Sequence, residues 1–437
     1  MHSSNPLIVT YNGQADLWNC KPPLAIWLNA LSMRLFGVSE FAVRLPSALA
    51  ALGTTFAVFR FTKRTSDRRT AILAALILIG MAGYVEVHVA RSADYDSLLV
   101  LFTTLTTFSL YFAFDSGRFY PTAAYGFLAF LTKGTAGALL APGYLLYALI
   151  CRKSVRGAII PSLAVLGGVF LFLAAREASQ PGYLQAAIGE EVLRFGSPAD
   201  GARASEFTFY IWRLFWPWQT FVVDPTRSVT YIIGAFPWTL LAFLSLIRPT
   251  RATLYLWCCT LSFTLLLSIA GTQHPWYVAP AYPMIAVLAA VGIQKAVETS
   301  GLKWIQPFAG IMAMACVVLN LWRLQSPYRS EVLWRESGQA ALIRALPGSA
   351  RVMVRPDATW RTPAVKDGKI VGTELYFGAV EFYRRQRSSG SVRILCSAAP
   401  FVADNGAAAA ASCDAPGRRP TRPIIYRVRD SRIVAIP

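Results

Sequence analysis

Four clusters of ionisable and aromatic residues hold groups able to bind phosphate or move a proton. The first is Tyr11-Asn12-Gly13, followed by Asp16-Leu17-Trp18-Asn19-Cys20-Lys21-Pro22-Pro23-Leu24. Paired prolines after a lysine set a rigid turn into a helix that begins near Leu24. Lys21 is thereby held at a helix N-terminus, where the macrodipole disfavours a cation unless an anion is close. A phosphate would supply that anion; a lysine snorkelling at a membrane interface would have the same sequence surroundings. The second cluster, Glu86-x-His88-x-x-Arg91-x-x-Asp94-x-Asp96, gathers five ionisable groups at the junction of two apolar runs. Ionisable groups at membrane depth are costly, so such a cluster points to function. The third is Leu131-Thr132-Lys133-Gly134, and the fourth is Gln273-His274-Pro275-Trp276-Tyr277-x-x-Pro280-x-Tyr282-Pro283. Cations that hold a phosphate, with carboxylates for acid–base work, suit a sugar-phosphate lipid reaction.

The elements that must position these clusters are membrane spans. The chain of 437 residues is 55% hydrophobic and 15% charged, with mean hydropathy +0.43. A soluble chain carries about 25% charged residues, and disorder requires low hydrophobicity, so both classes are excluded. Runs of about 20 apolar residues predict ten spans, near 43–62, 70–89, 96–114, 119–132, 135–150, 157–175, 229–247, 252–270, 277–296 and 304–322. The fourth and fifth are short and read equally as one broken pair around Lys133-Gly134. The fold class expected is thus an α-helical polytopic membrane protein with a small C-terminal α/β domain.

Orientation follows from the basic loops. Arg60, Lys63, Arg64, Arg68 and Arg69 fill one, Arg152, Lys153 and Arg156 another, and Arg118, Arg248, Arg251, Lys295 and Lys303 fall in three more. All five alternate onto one side, which the positive-inside bias makes cytoplasmic. Eleven of the 14 acidic residues before position 323 then lie on the outer side. They form either an outward-facing polar site or merely polar helix ends. The net charge of +19, from 42 Lys+Arg and 23 Asp+Glu, reads as loop orientation and contact with anionic lipid rather than nucleic-acid binding. No CxxC-type zinc spacing and no cleavable signal peptide is visible.

The long outer loop, 176–228, carries Phe207, Phe209, Tyr210, Trp212, Phe215, Trp216 and Trp218. These aromatics suit a segment in the membrane interface, as an anchor or as the lining of a lipid path. After Trp322 the pattern becomes that of a soluble domain with 19 Lys+Arg and 9 Asp+Glu. Arg351–Arg355, Ser391–Ser397 and Ile424–Val428 read as strands, Phe377–Arg387 as a helix, and Ala403–Pro423 as a mobile loop. A disulfide between Cys396 and Cys413 is expected, since both lie past the last span on the oxidising side.

Tyr11 through Leu24, then Arg34-Leu35-Phe36-Gly37 and Arg44-Leu45-Pro46-Ser47, resembles the integral-membrane type-C glycosyltransferases. The narrower likeness is to the bacterial group of protein O-mannosyltransferases and the lipid A aminoarabinose transferase. Arg91 to Asp96, Leu131 to Gly134 and His274 to Pro283 recur there in the same order, and Glu190-Glu191-x-x-Arg194-Phe195 is also similar. The likeness covers roughly residues 7–322, so the domains expected are a transmembrane glycosyltransferase domain over 1–322 and a periplasmic α/β domain over 323–437.

The resemblance implies a sugar on polyprenyl phosphate, passed at the periplasmic face of the bacterial inner membrane to lipid A, a protein or another glycan. Lys21 is similar to the family lysine that contacts the donor phosphate, with Arg91, Lys133 and Tyr277 in the same pocket. Asp94 or Asp96 matches the family's acidic position at the start of the corresponding span. Glu191 and Arg194 fall in the substrate-binding loop. His274 would meet phosphate or, with Glu86 and His88, a divalent cation, the one cofactor left open. Family members begin with a cytoplasmic N-terminus, a first span and an outer loop carrying the acidic base; this chain starts after that point, and its topology likewise expects one preceding span. Two rivals remain: a transporter or lipid flippase, which would show inverted repeats and broken helices at mid-membrane, and an inactive lipid-binding fragment.

Overall fold

The computed structural model of the chain describes residues 21–188 apart from 86–88 and 91, residues 234–325 apart from 271–273, parts of 5–15, 210–214, 218–232 and 364–371, and the strands 407–409, 425–429 and 432–436. The chain divides into two compact units, one of Met1–Gln219 with Thr230–Leu321, the other of Thr220–Val229 with Trp322–Pro437.

In the first unit, a hairpin of β1 (Thr10–Tyr11) and β2 (Gln14–Ala15) precedes α1 (Leu24–Phe36). As the paired prolines predict, α1 starts directly after Pro23. Helix α2 (Glu40–Thr65) is capped by Ser39, whose hydroxyl accepts from the Ala42 N–H, with Glu40 favourably in the first turn. Asp67 caps α3 (Arg68–Gly80) by accepting from the Arg69 and Thr70 N–H groups. After the single turn of α4 (Ala82–Val85), Asp94 caps α5 (Tyr95–Ser116). Helix α6 (Tyr120–Lys133) passes through a 3-10 turn, Gly134–Ala138, into α7 (Ala141–Ile150) with a bend of 72°. Then come α8 (Val155–Ser179), α9 (Tyr183–Ala187) and, after strands β3 (Trp218–Asp224) and β4 (Arg227–Ile232), of which Thr220–Val229 belong to the second unit, α10 (Trp238–Ala242). The unit closes with α11 (Arg251–Ser268), a 3-10 segment over Pro275–Ala281, α12 (Tyr282–Ser300) and α13 (Ile305–Gln325).

Among the described residues five helices are long and apolar enough to cross a membrane, or six when the bent α6–α7 pair counts as one span. Two expected spans come out differently. The run 70–89 ends as a helix at Gly80 and resumes only for Ala82–Val85. The run 229–247 begins as β4, and its helix starts at Trp238, continuing as a 3-10 turn through Leu246. Apolarity finds the buried stretch but does not fix its backbone.

Helix α12 forms the centre, with every residue from Tyr282 to Ile293 buried, whereas α13 is largely exposed. It packs against α3, α10, α11 and α2, while α5 packs on α2 and α6, and α7 on α11. Hydroxyls enter this core because they bond their own helix: Thr62 to the Val58 carbonyl, Thr107 to Thr103, Thr260 to Leu256 and Thr264 to Thr260, each at 2.8 Å. At the basic end, Lys153 Nζ meets Asp115 Oδ1 at 2.5 Å and the Ser66 hydroxyl meets the Gln294 side chain. Burial pushes the Asp67 carboxyl up, but the bonds it accepts from Thr70, Arg69 and Ser66 outweigh this and hold it below the usual carboxylate range.

In the second unit, β5 (Ala364–Lys366) pairs antiparallel with β6 (Lys369–Val371), and β7 (Ala407–Ala409), β8 (Ile425–Arg429) and β9 (Arg432–Ile436) form an antiparallel sheet in that order. The strand expected at 424–428 is β8. The alanine run expected to be loop supplies β7, because backbone pairing to β8 asks nothing of its side chains. The strands expected at 351–355 and 391–397, the helix at 377–387, and both Cys396 and Cys413 lie outside the described residues.

Candidate active site

Lys133 ends α6 at its negative dipole end, and Asp96 sits in the first turn of α5 at the positive end of that helix. The two helices pack together, so each side chain meets both the opposite charge and a favourable dipole. Lys133 Nζ lies 2.7 Å from both Asp96 carboxylate oxygens. Asp96 is 1% exposed and Lys133 9%, which makes this a buried, bidentate ion pair. Glycine after the lysine is required here: Gly134 has φ +61°, open to glycine and strained for other residues. Gly137 then lets the 3-10 turn fold back on α6, since a Cβ there would lie 2.8 Å from the Phe130 nitrogen.

Above this pair stands Tyr277, its ring centroid 4.8 Å from Lys133 Nζ, a cation–π distance. Tyr277 belongs to the 3-10 segment before α12, and its N–H donates to the His274 carbonyl at 3.1 Å. His274 stacks on Trp276 at 4.7 Å and meets Tyr277 edge-on at 5.0 Å. On the other side, Asp94 Oδ1 accepts from the Tyr95 N–H at 2.7 Å, and Lys21 Nζ lies 5.8 Å from the Tyr95 ring centroid. Asn29 Nδ2 of α1 reaches the Ala93 carbonyl at 3.5 Å. Lys21, Asp94, Asp96, Lys133, His274 and Tyr277 thus share one end of the bundle, opposite Arg68, Arg69 and Lys153.

Arg91, Glu86, His88, Glu191 and Arg194 lie outside the described residues. Among the described residues no group of three or more His, Cys, Asp or Glu is arranged to hold a metal.

Three contributors escaped the motif reading. Tyr95 lies between Asp94 and Asp96 and supplies the face under Lys21. Ser92 has a buried hydroxyl with no partner among the described residues. Tyr210, expected in an interfacial segment, is instead fully buried. Its hydroxyl donates to the His274 carbonyl at 3.1 Å and accepts from the His274 N–H at 3.2 Å. Both backbone groups of His274 are thereby satisfied, so a loop residue fixes the start of the Tyr277 turn. The other six aromatics of that loop are outside the described side chains.

Residues 20–175 match the family described as dolichyl-phosphate-mannose-protein mannosyltransferase. A putative mannosyltransferase of Bacillus subtilis is 31% identical over 35% of this chain and 23% of its own length. An undecaprenyl phosphate-α-4-amino-4-deoxy-L-arabinose arabinosyl transferase of Pseudomonas savastanoi is 27% identical over 79% of this chain and 65% of its own. Among the first relatives in similarity, two proteins of Aquifex aeolicus, the chain spans 31% and 56% of their lengths. In fold, the chain is similar to the crystal structure of ArnT from Cupriavidus metallidurans bound to undecaprenyl phosphate, with TM-score 0.62 at 15% identity, covering 90% of this chain and 79% of that one. The sequence resemblance therefore holds over residues 20–175, the fold is similar to that of ArnT over most of the chain, and the chain is a multi-pass membrane protein.

Proposed function

We propose that the chain transfers a sugar from a polyprenyl-phosphate donor to an envelope acceptor at the outer face of the bacterial inner membrane. Lipid A, a protein hydroxyl and a glycan hydroxyl are the acceptor classes. The observation that carries the proposal is the Lys133–Asp96 pair under Tyr277, with Lys21 and Asp94 alongside. Two cations near one outer helix end suit a lipid phosphate, and relatives named for mannosyl and aminoarabinosyl transfer support that reading.

In the reaction proposed, the acceptor oxygen attacks the anomeric carbon while the bond from that carbon to the donor phosphate breaks. The acceptor's proton passes to a carboxylate, and the lipid phosphate departs as an anion held by Lys21 and Lys133, so its leaving group needs no strong acid. Asp96 has both oxygens on Lys133 and acts as a positioning residue; the carboxylate assigned to proton transfer is Asp94. The donor's tail stays in the bilayer. We propose in addition that residues 323–437 form an α/β domain in the periplasm.

Binding of undecaprenyl phosphate to the purified chain, by titration in detergent, tests the phosphate site without requiring turnover. Removal of a charged phosphate contact costs about 1.5–3 kcal/mol, so Lys133→Met should weaken binding roughly tenfold or more. Equal affinity in the variant, or no binding to the parent chain, would reject the assignment.

A further inference from the structure

The basic end of the bundle carries a feature that sugar transfer at the opposite end does not use. A cleft of about 540 Å³ opens there between α3, the end of α12 and the start of α13. Arg69 and Lys303 line it, both exposed, with Ile72, Leu76, Pro307 and Gly310 among its walls. A second groove of about 340 Å³ runs between α2 and α3, shares Ile72 and Leu76 with the first, and continues past Phe56 to Ile79. Two apolar grooves thus flank one ridge, with cations at a single end.

The dimensions and charges name the occupant. From Arg69 to Ile79 is ten residues of helix, about 15 Å of rise, which is the depth of one leaflet of a hydrocarbon core about 30 Å thick. Nearby carboxylates are engaged elsewhere: Asp67 accepts from the first turn of α3, and Glu298 accepts from Gln294 Nε2 at 2.8 Å. Among the described residues neither Arg69 nor Lys303 forms an ion pair. A Cβ added at Gly310 would meet nothing within 4 Å, so no described element fills the cleft at that point. Basic pockets between spanning helices on the cytoplasmic side suit anionic head groups.

We infer that the two grooves bind one diacyl phospholipid with an anionic head group, drawn from the leaflet at the basic end. Its phosphate sits with Arg69 and Lys303, and its acyl chains lie on either side of the Ile72–Leu76 ridge. Native mass spectrometry of the full chain, with phosphatidylglycerol or phosphatidylcholine of identical acyl chains, tests this directly. The parent chain should retain phosphatidylglycerol in preference. Arg69→Gln with Lys303→Gln should weaken that retention roughly 30-fold, from two lost surface charges, and leave phosphatidylcholine unchanged. Gly310→Leu fills the cleft with both charges intact and should reduce retention of both lipids. Equal retention of the two lipids by the parent, or undiminished phosphatidylglycerol on the charge variant, would overturn the inference. Displacement by undecaprenyl phosphate with the same dependence on Arg69 and Lys303 would overturn the diacyl assignment, and loss of a dimer in Gly310→Leu would reassign the grooves to a second copy of the chain.

Discussion

Neither Lys133 nor Asp96 would be tolerable alone at its depth. A lone charge there pays most of its desolvation with nothing in return, whereas the bidentate pair at 2.7 Å returns the Coulomb energy and fills both carboxylate oxygens. Asp96→Asn should therefore destabilise the chain by about 3–5 kcal/mol, because it strands the lysine. The double change Asp96→Leu with Lys133→Met should recover most of that stability and still bind undecaprenyl phosphate roughly tenfold or more weakly than the parent chain. Thermal unfolding in detergent of the single and double variants separates the two roles, and equal loss in both would mean that the pair matters only for packing. The sequence marks both residues, since an ionisable group at the end of an apolar run stands out. It does not reveal that they meet, because 37 residues separate them and contact depends on the negative end of α6 lying beside the positive end of α5. Tyr210 was harder still. Nothing in an aromatic-rich loop tells which ring turns inward to hold the backbone of His274.

Helices in this bundle approach one another to different degrees, and glycines record where the approach is closest. A Cβ on Gly143 in α7 would lie 2.5 Å from the Cys259 Cα and 2.8 Å from the Cys258 carbonyl oxygen of α11, so the obstacle is backbone. Gly167, inside α8, has nothing within 4 Å of its added Cβ. Gly143→Ala should push α7 off α11 and cost about 1–3 kcal/mol, while Gly167→Ala should gain up to about 1 kcal/mol of helix propensity. Melting temperatures of the two variants provide the check; a gain at Gly143 would contradict the packing described. Both glycines look alike in sequence, each inside an apolar run. The positions of the helices themselves were legible in the apolar runs and, for α1, in the prolines before Leu24; the caps that the structure shows at Ser39, Asp67 and Thr250 are a further signal that could have placed other starts. The breaks were less so. Gly134 hinted at the α6–α7 bend, but the end of α3 at Gly80 and the strand at 227–232 follow from tertiary packing that hydropathy does not encode. The Asn12-Gly13 sequence favours a two-residue hairpin turn, a signal that could have found the β1–β2 pairing.

At the scale of the whole chain, charge is sorted by end. Arg68, Arg69, Arg152, Lys153, Arg248 and Lys303 stand at one end of the helices, and Asp94, Asp96 and Glu177 at the other. Positive loops are retained in the cytoplasm, whereas acidic residues contribute little to orientation, so the basic end determines the direction of the bundle. In the orientation proposed, the candidate site faces outward, where a lipid-linked sugar would meet an envelope acceptor, and the grooves inferred to take a phospholipid face the cytoplasmic leaflet. Single cysteines at two exposed positions, Pro181→Cys after α8 and Ser300→Cys at the end of α12, test this orientation without reference to any activity. In intact cells with a permeable outer membrane, an impermeant maleimide should add label to Pro181→Cys above the level of the parent chain and add none to Ser300→Cys. In inverted inner-membrane vesicles the pattern should reverse. Label on Ser300→Cys from outside would turn the bundle over. It would place Lys133 and Tyr277 on the side of the nucleotide pool, and a polyprenyl-phosphate donor used at the outer face would no longer reach them.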